Sequence, residues 1–250
     1  MQDEKKGRAI LGQIDKDPGY VRVAKAIEGE IVAGRLKVGE LLPTEAELSG
    51  MLGVNRSTVR EGIRALENAA LVRRGEGKRL VISAPEAEVV TNVNTRAMRM
   101  MRVSFLELWD VQMKLEPFAA RLAAEHRTSE QAEALQGNVA ELKANLDDDA
   151  FIIRSDVEFH ALIAEAGGNP VLSLATAPIG KLLYSATVDL YARVPQARHR
   201  LLTAHEAIAR AIADGNADES ESWAARHIQD FKRGYEVGGF DMTAQLPMRG

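Results

Sequence analysis

The sequence predicts a mainly α-helical chain, a winged helix-turn-helix at the N-terminal end followed by a larger all-helical unit. Three observations predict it. Ala and Leu are abundant while aromatics make up only 5% of the 250 residues, which favours packed helices over a sheet-rich core. Residues 84–250 read as helix almost throughout, and the clearest strand signal is a pair of short apolar runs in "LVRRGEGKRLVIS". Charge is divided: residues 1–83 carry 15 Lys+Arg against 12 Asp+Glu, and the remainder 17 against 24. A basic module of residues 1–83 joined to an acidic one of residues 84–250 is the pattern expected when only one part meets phosphate.

The elements of the basic module follow in order. "YVRVAKAIEGEIVAGRL" spaces Val23, Ile27, Ile31 and Val32 as one helical face, and Gly34 stops it. "LKVGELLP" reads as a turn. In "PTEAELSGMLG", Thr44 and Glu47 form a capping-box signature, and Gly53 ends the second helix. "GVNRSTVREGIRAL" then opens a third helix running to about Asn68. The apolar runs around Gly75-Glu76-Gly77 predict a β-hairpin. The short turn marked by Gly53 suits a helix-turn-helix, and the hairpin supplies the wing.

The acidic part breaks into helices at roughly 87–101, 104–126, 129–146, 149–166, 169–192, 196–214 and 217–236. Gly167, Gly168 and Pro170 stop one helix and open the next. Pro117 falls inside a helical pattern and predicts a kink. "DDDA" is read as an N-terminal capping region.

Composition excludes several classes. With no cysteine there is neither a disulfide framework nor a thiolate metal site. A content of 46% hydrophobic and 27% charged residues is too apolar for general disorder. No segment has the length and hydropathy of a signal peptide or a membrane span, so a soluble cytoplasmic protein is expected. The net charge of −4 alone argues against a nucleic-acid partner. The third helix argues the other way. Ser57, Arg60 and Arg64 lie at its start or along one face, while Val59, Ile63 and Leu66 form the opposite stripe. Arg56 and Ser57 stand at its N-terminus, where a recognition helix reaches base edges and backbone amides favour phosphate.

"GRLKVGELLPTEAELSGMLGVNRSTVREGIRALENAALVRR" resembles the DNA-binding domain of the GntR superfamily of bacterial transcription regulators, over roughly residues 19–83. The resemblance implies that Asn55, Arg56, Ser57, Thr58 and Arg60 meet DNA, with Glu45 beside them and Gly77 and Lys78 at the wing tip. Ala46 stands where many relatives have Arg, and Lys78-Arg79 replaces a Gly-rich tip. The operator sequence therefore does not transfer, and the basic tip is expected to strengthen phosphate or minor-groove contact.

In the acidic part, Asp156 and His160 are four apart and project from one helix face, while His205 and His227 fall on two later helices. Three imidazoles and a carboxylate from three helices suit a divalent transition metal in a bundle core, although an isolated His is more often a core or surface residue. "LWDVQMKLEPFAARLAAEH", "FHALIAEAGGNPVL" and "HEAIARAIADGNADESESWAARHI" resemble the FCD effector-binding domain of the FadR subfamily of GntR proteins. The resemblance implies an antiparallel helical bundle and a metal held by Asp156, His160, His205 and His227. His199 and His126 do not fit this set. In many relatives an arginine grips an effector carboxylate where Gln112 stands here. Lys114 or Arg154 then substitutes, or the effector is not a simple carboxylate.

The expected function is that of a DNA-binding regulator, a homodimeric repressor reading a palindromic double-stranded operator. Its ligands are a divalent metal, zinc or nickel, and a small-molecule effector such as an organic or sugar acid. Two alternatives stand beside it: a metal-dependent hydrolase, and a regulator whose metal is purely structural.

Overall fold

The computed structural model describes residues 17–75, 77 and 79–246. Contacts divide the chain between Glu86 and Ala87 into two units.

In the first unit, α1 (Gly19–Val32), α2 (Glu45–Leu52) and α3 (Arg56–Asn68) precede the antiparallel strands β1 (Val72–Arg74) and β2 (Leu80–Ile82). The capping box forms as its residues predict: Thr44 Oγ1 accepts from the Glu47 N–H at 3.3 Å, and Glu47 Oε2 accepts from the Thr44 N–H at 2.8 Å. Gly53 ends α2 in the left-handed region at φ 64°, a conformation open to glycine at no steric cost. Two residues later Asn55 caps α3, its Oδ1 accepting from the Thr58 N–H at 2.8 Å. The α3 stripe of Val59, Ile63 and Leu66 is fully buried against Val23 and Ile27 of α1, Leu48 of α2, and Val72, Leu80 and Ile82 of the hairpin. Each aliphatic side chain so buried contributes roughly 1.5–3 kcal/mol.

The segment "LKVGELLP", expected as a turn, does more. The Gly39 and Leu42 N–H groups donate to the carbonyls of Ile82 and Leu80, and the Ile82 N–H donates to the Glu40 carbonyl, each at 2.9 Å. A two-stranded wing would leave the outer edge of β2 with unpaired polar groups, and this segment satisfies them.

Gly62 sets how closely α1 and α3 approach. A Cβ there would sit 2.6 Å from Val23 Cγ1 and 3.1 Å from the Tyr20 carbonyl oxygen. Gly62→Ala is therefore expected to destabilise the first unit by about 1–3 kcal/mol through overpacking, despite the better helix propensity of Ala. Denaturant unfolding followed by circular dichroism measures this, and unchanged stability would mean that the two helices slide apart at little cost.

The second unit comprises α4 (Ala87–Met100), α5 (Phe105–His126), α6 (Ser129–Ala144), α7 (Asp149–Ala166), α8 (Pro170–Arg193), α9 (Ala197–Asp214) and α10 (Ala217–Val237). Ser104, Thr128, Asp148, Asn169 and Asn216 cap the starts of α5, α6, α7, α8 and α10 with side-chain oxygens. The helix α5 continues through Pro117. Phe105 stacks on Tyr235 at 4.0 Å, and the Trp109 indole N–H donates to the Ile228 carbonyl at 2.9 Å, which ties the start of α5 to α10. The helix α5 packs against α7, α8, α9 and α10, with α7 also against α6 and α8. The inner faces of α5, α7, α9 and α10 thus converge. Among the described residues, no single helix is long and apolar enough to cross a membrane.

Candidate metal centre and nucleic-acid surface

Three helices bring Asp156 and His160 (α7), His205 (α9) and His227 (α10) together, each with one donor atom within 4.8 Å of all the others. Phe159 stacks on the His205 ring at 3.9 Å and fixes its plane. His205 Nε2 lies 3.2 Å and His160 Nε2 3.5 Å from Asp156 Oδ1. The Nε2 atoms of His160 and His227 face each other at 3.2 Å.

Glu116 on α5 completes the group. Its Oε2 lies 2.5 Å from His160 Nδ1, and the Gln112 amide donates to its Oε1 at 3.0 Å. A carboxylate against Nδ1 keeps the proton there and turns the Nε2 lone pair inward, as in carboxylate–histidine–metal arrangements.

The electrostatics suit a cation. Burial pushes the Asp156 carboxyl up, but the imidazoles of His160 and His205 outweigh it and hold that carboxyl well below the usual range. Burial lowers His205, and it lowers His227 further, with the neighbouring imidazoles adding to the shift. Burial also opposes charge on His160, yet Glu116 and then Asp156 raise it well above its ordinary value. An ionised carboxylate, two neutral imidazoles and a third pressed on by two carboxylates form a donor set that a cation satisfies. Buried atoms without a hydrogen bond, Asp156 Oδ1 and both His205 nitrogens, support the same conclusion, since leaving them unpaired is costly. The residues fit a divalent transition metal with nitrogen and oxygen ligands.

Glu116→Ala is expected to weaken metal affinity by about 10–100-fold, because His160 would lose the group that fixes its tautomer and orientation. A competition titration against a chelator reads this. Unchanged affinity would show that α7 alone orients the ring.

The three residues considered for an effector do not share one cavity. Gln112 is buried and lines a chamber of about 40 Å³ with Asp156, His160, His227, Thr187 and Tyr191. Lys114 is exposed on α5, and Arg154 lines a separate cleft with residues of α4 and α8. On the α9–α10 side, a cleft of about 290 Å³ reaches His227 between Arg200, Trp223, Arg226 and Asp230. Of the remaining histidines, His126 lies within hydrogen-bond distance of the Gly167 carbonyl at 3.1 Å and His199 is exposed.

In the first unit, Arg56, Ser57 and Arg60 are exposed along the start of α3. Arg60 is held by Glu45 across the turn, Nη2 to Oε2 at 2.9 Å, and hydrogen bonding to Arg60 lowers the Glu45 carboxyl. Asn55 Oδ1 is occupied three ways, by the Thr58 N–H and by the Ser57 and Thr58 hydroxyls. Its oxygen therefore caps the helix, and its amide N–H groups are the part that can reach outward. Gly77 takes φ 64° at the hairpin tip. Lys78, expected beside it, lies outside the described residues.

Comparison with known proteins follows this division. Residues 19–82 match the family described as bacterial regulatory proteins, gntR family, and residues 107–230 match the FCD domain. An HTH-type transcriptional repressor NanR from Salmonella newport is 37% identical over 139 residues, which cover 53% of this chain and 52% of that protein. The NanR of Klebsiella aerogenes is 29% identical over 211 residues, covering 83% of this chain and 81% of that protein. The match thus spans about half the length of the Salmonella newport relative. Among solved structures, Streptococcus agalactiae GntR shares the fold with a TM-score of 0.60 at 23% identity, over 86% of this chain and 99% of that one.

Proposed function

Because the chain belongs to the GntR family of bacterial transcription regulators, with an FCD domain of the FadR type, we propose that it is a metabolite-responsive repressor. The observation that carries this reading is the pairing in one chain of an exposed basic α3 edge with a largely buried Asp–His₃ cluster in a separate helical unit. The relatives matched are regulators and not enzymes, so the hydrolase alternative falls away.

In this reading the protein acts in the cytoplasm as a homodimer. Each protomer lays α3 in a major groove, so that the dimer reads a palindromic operator. Arg56, Ser57, Thr58, Arg60 and the amide of Asn55 are the contacting groups, with Glu45 aiming Arg60 and Gly77 and Lys78 at the wing tip. Repression is favoured by the relatives named as repressors. Asp156, His160, His205 and His227 hold one divalent ion, zinc or nickel by the preference of imidazole ligands.

The effector reading rests on size. A chamber of about 40 Å³ takes an ion and a water or two, not a sugar acid. The body of an organic or sugar acid therefore sits in the cleft of about 290 Å³ beside His227, where Arg226 and Trp223 offer a cation and a ring. Gln112 Oε1, buried without a partner, accepts from whatever enters the chamber. An effector tying α9 and α10 to the centre shifts the equilibrium between dimer arrangements through its differential affinity for them.

Mobility-shift titration of DNA from upstream of the protein's own and neighbouring genes tests this reading. Metal-loaded protein should bind one palindromic fragment and release it on addition of an organic or sugar acid. Protein that binds no fragment above its non-specific level would overturn the reading. Chelated protein that still folds, dimerises and binds the operator but ignores the acid supports a metal that takes part in effector binding. An undiminished response after chelation would make the metal purely structural.

A further inference from the structure

A cationic cleft in the helical unit lies away from the α9–α10 side. Its volume is about 590 Å³, within the range of small-molecule sites. Three helices wall it. Asn92, Arg96 and Arg99 come from one face of α4, Arg154 from α7, and Lys181 and Tyr184 from one face of α8. Four cations thus meet in one hollow of a unit in which acids outnumber bases, 24 Asp+Glu to 17 Lys+Arg over residues 84–250. No carboxylate is among the described lining residues.

Arg96 and Arg154 have no ion-pair partner among the described residues, Arg154 having only the Phe151 ring 5.9 Å from its guanidinium carbon. Lys181 donates to Asn92 Oδ1 at 2.9 Å, which fixes its ammonium on the α4 side of the cleft, and the exposed Glu88 lies 3.8 Å from it. Guanidinium forks converging with an ammonium form a recognition set for carboxylate or phosphate oxygens. Tyr184 and the Asn92 amide add hydrogen-bonding groups for a polar body.

From this juxtaposition we infer that the α4–α7–α8 cleft binds a small metabolite carrying at least two negative charges, a phosphate ester or a dicarboxylate, at a site separate from the metal centre. A hollow walled by three helices admits a small molecule and not a duplex, which sets this site apart from the DNA surface. The two sites are nonetheless neighbours. Val157, adjacent to Asp156 on α7, lines both the cationic cleft and the metal chamber. A ligand that draws α4, α7 and α8 together presses on the wall of that chamber, which gives the cleft a physical path to the effector response.

The test is calorimetry on the full-length, metal-loaded protein with three probes: inorganic phosphate, glucose 6-phosphate and succinate, with glucose as the uncharged control. Saturable binding of glucose 6-phosphate or succinate is expected, none of glucose, and at least a tenfold loss of affinity in Arg96→Gln/Arg154→Gln. Both arginines are exposed and unpaired, so that variant should melt like the wild type, and a melting curve checks it. A second variant, Lys143→Gln, removes an exposed cation outside the cleft and should keep the affinity. Failure of the probes to bind, or binding kept in the arginine variant, would overturn the inference. So would an arginine variant that binds the probes normally but binds operator DNA more weakly, since the cleft would then serve the nucleic acid. These results are independent of operator recognition, so the repressor reading can fail while the cleft stands, and the reverse.

Discussion

Elemental analysis of the His160→Ala/His205→Ala double variant is expected to return no stoichiometric metal, and that of the wild-type protein one ion per chain. Two of three imidazoles would be gone, and Asp156 with His227 alone leaves half a coordination shell. The wild-type protein should in turn lose thermal stability on chelation, since an ion bound only by the folded state stabilises it by mass action, about 4 kcal/mol at a thousand times the dissociation constant. His205 is completely buried and stacked on Phe159, so its truncation also opens a cavity. Asp156→Asn guards against a merely unfolded double variant. It keeps shape and volume, removes the one anionic ligand, and should weaken metal binding while the chain still folds. Full metal retention by the double variant would place the ion elsewhere.

Local signals carried most of the fold. Thr44 with Glu47, Gly53, and the Val59–Ile63–Leu66 stripe each act within a few residues, and each appears in the structure as its chemistry predicts. The spacing of Asp156 and His160 is equally local, and the resemblance brought His205 and His227 to them. Groups that meet only through tertiary packing left no such trace. Glu116 stands 44 positions before His160 in an ordinary amphipathic helix, and nothing near it announces that its carboxylate backs a ligand. Gln112 has a legible neighbourhood but not a legible partner, since its bond runs to Glu116. Arg96, Arg154 and Lys181 form a cleft only because α4, α7 and α8 pack as they do. The segment before α2 pairs with the wing through backbone groups, which every residue carries and no side-chain pattern marks.

Arg56→Ala and Arg60→Ala are each expected to weaken operator binding, and the two should fail differently. Arg56 is the first residue of α3 and exposed, so it can meet a phosphate at the groove edge or a base beneath it. Arg60 lies one turn further in and is pre-aimed by Glu45, which restricts its guanidinium before DNA arrives. A restrained guanidinium on a recognition helix suits the bidentate contact to a guanine edge. Arg60→Ala should therefore cost roughly tenfold to hundredfold in affinity and relax sequence preference at one base pair of each half-site. If Arg56 meets phosphate, its removal weakens all sequences alike and lowers the slope of log affinity against log salt by about one. Glu45→Gln separates aiming from contact: it leaves Arg60 in place but unrestrained, so affinity should fall less than in Arg60→Ala, with preference retained. Mobility-shift titrations on the operator and on single-base variants, at several salt concentrations, read all three substitutions. Wild-type affinity in both arginine variants would remove α3 from the interface, and equal loss across all sequences for Arg60→Ala would make that arginine another phosphate contact.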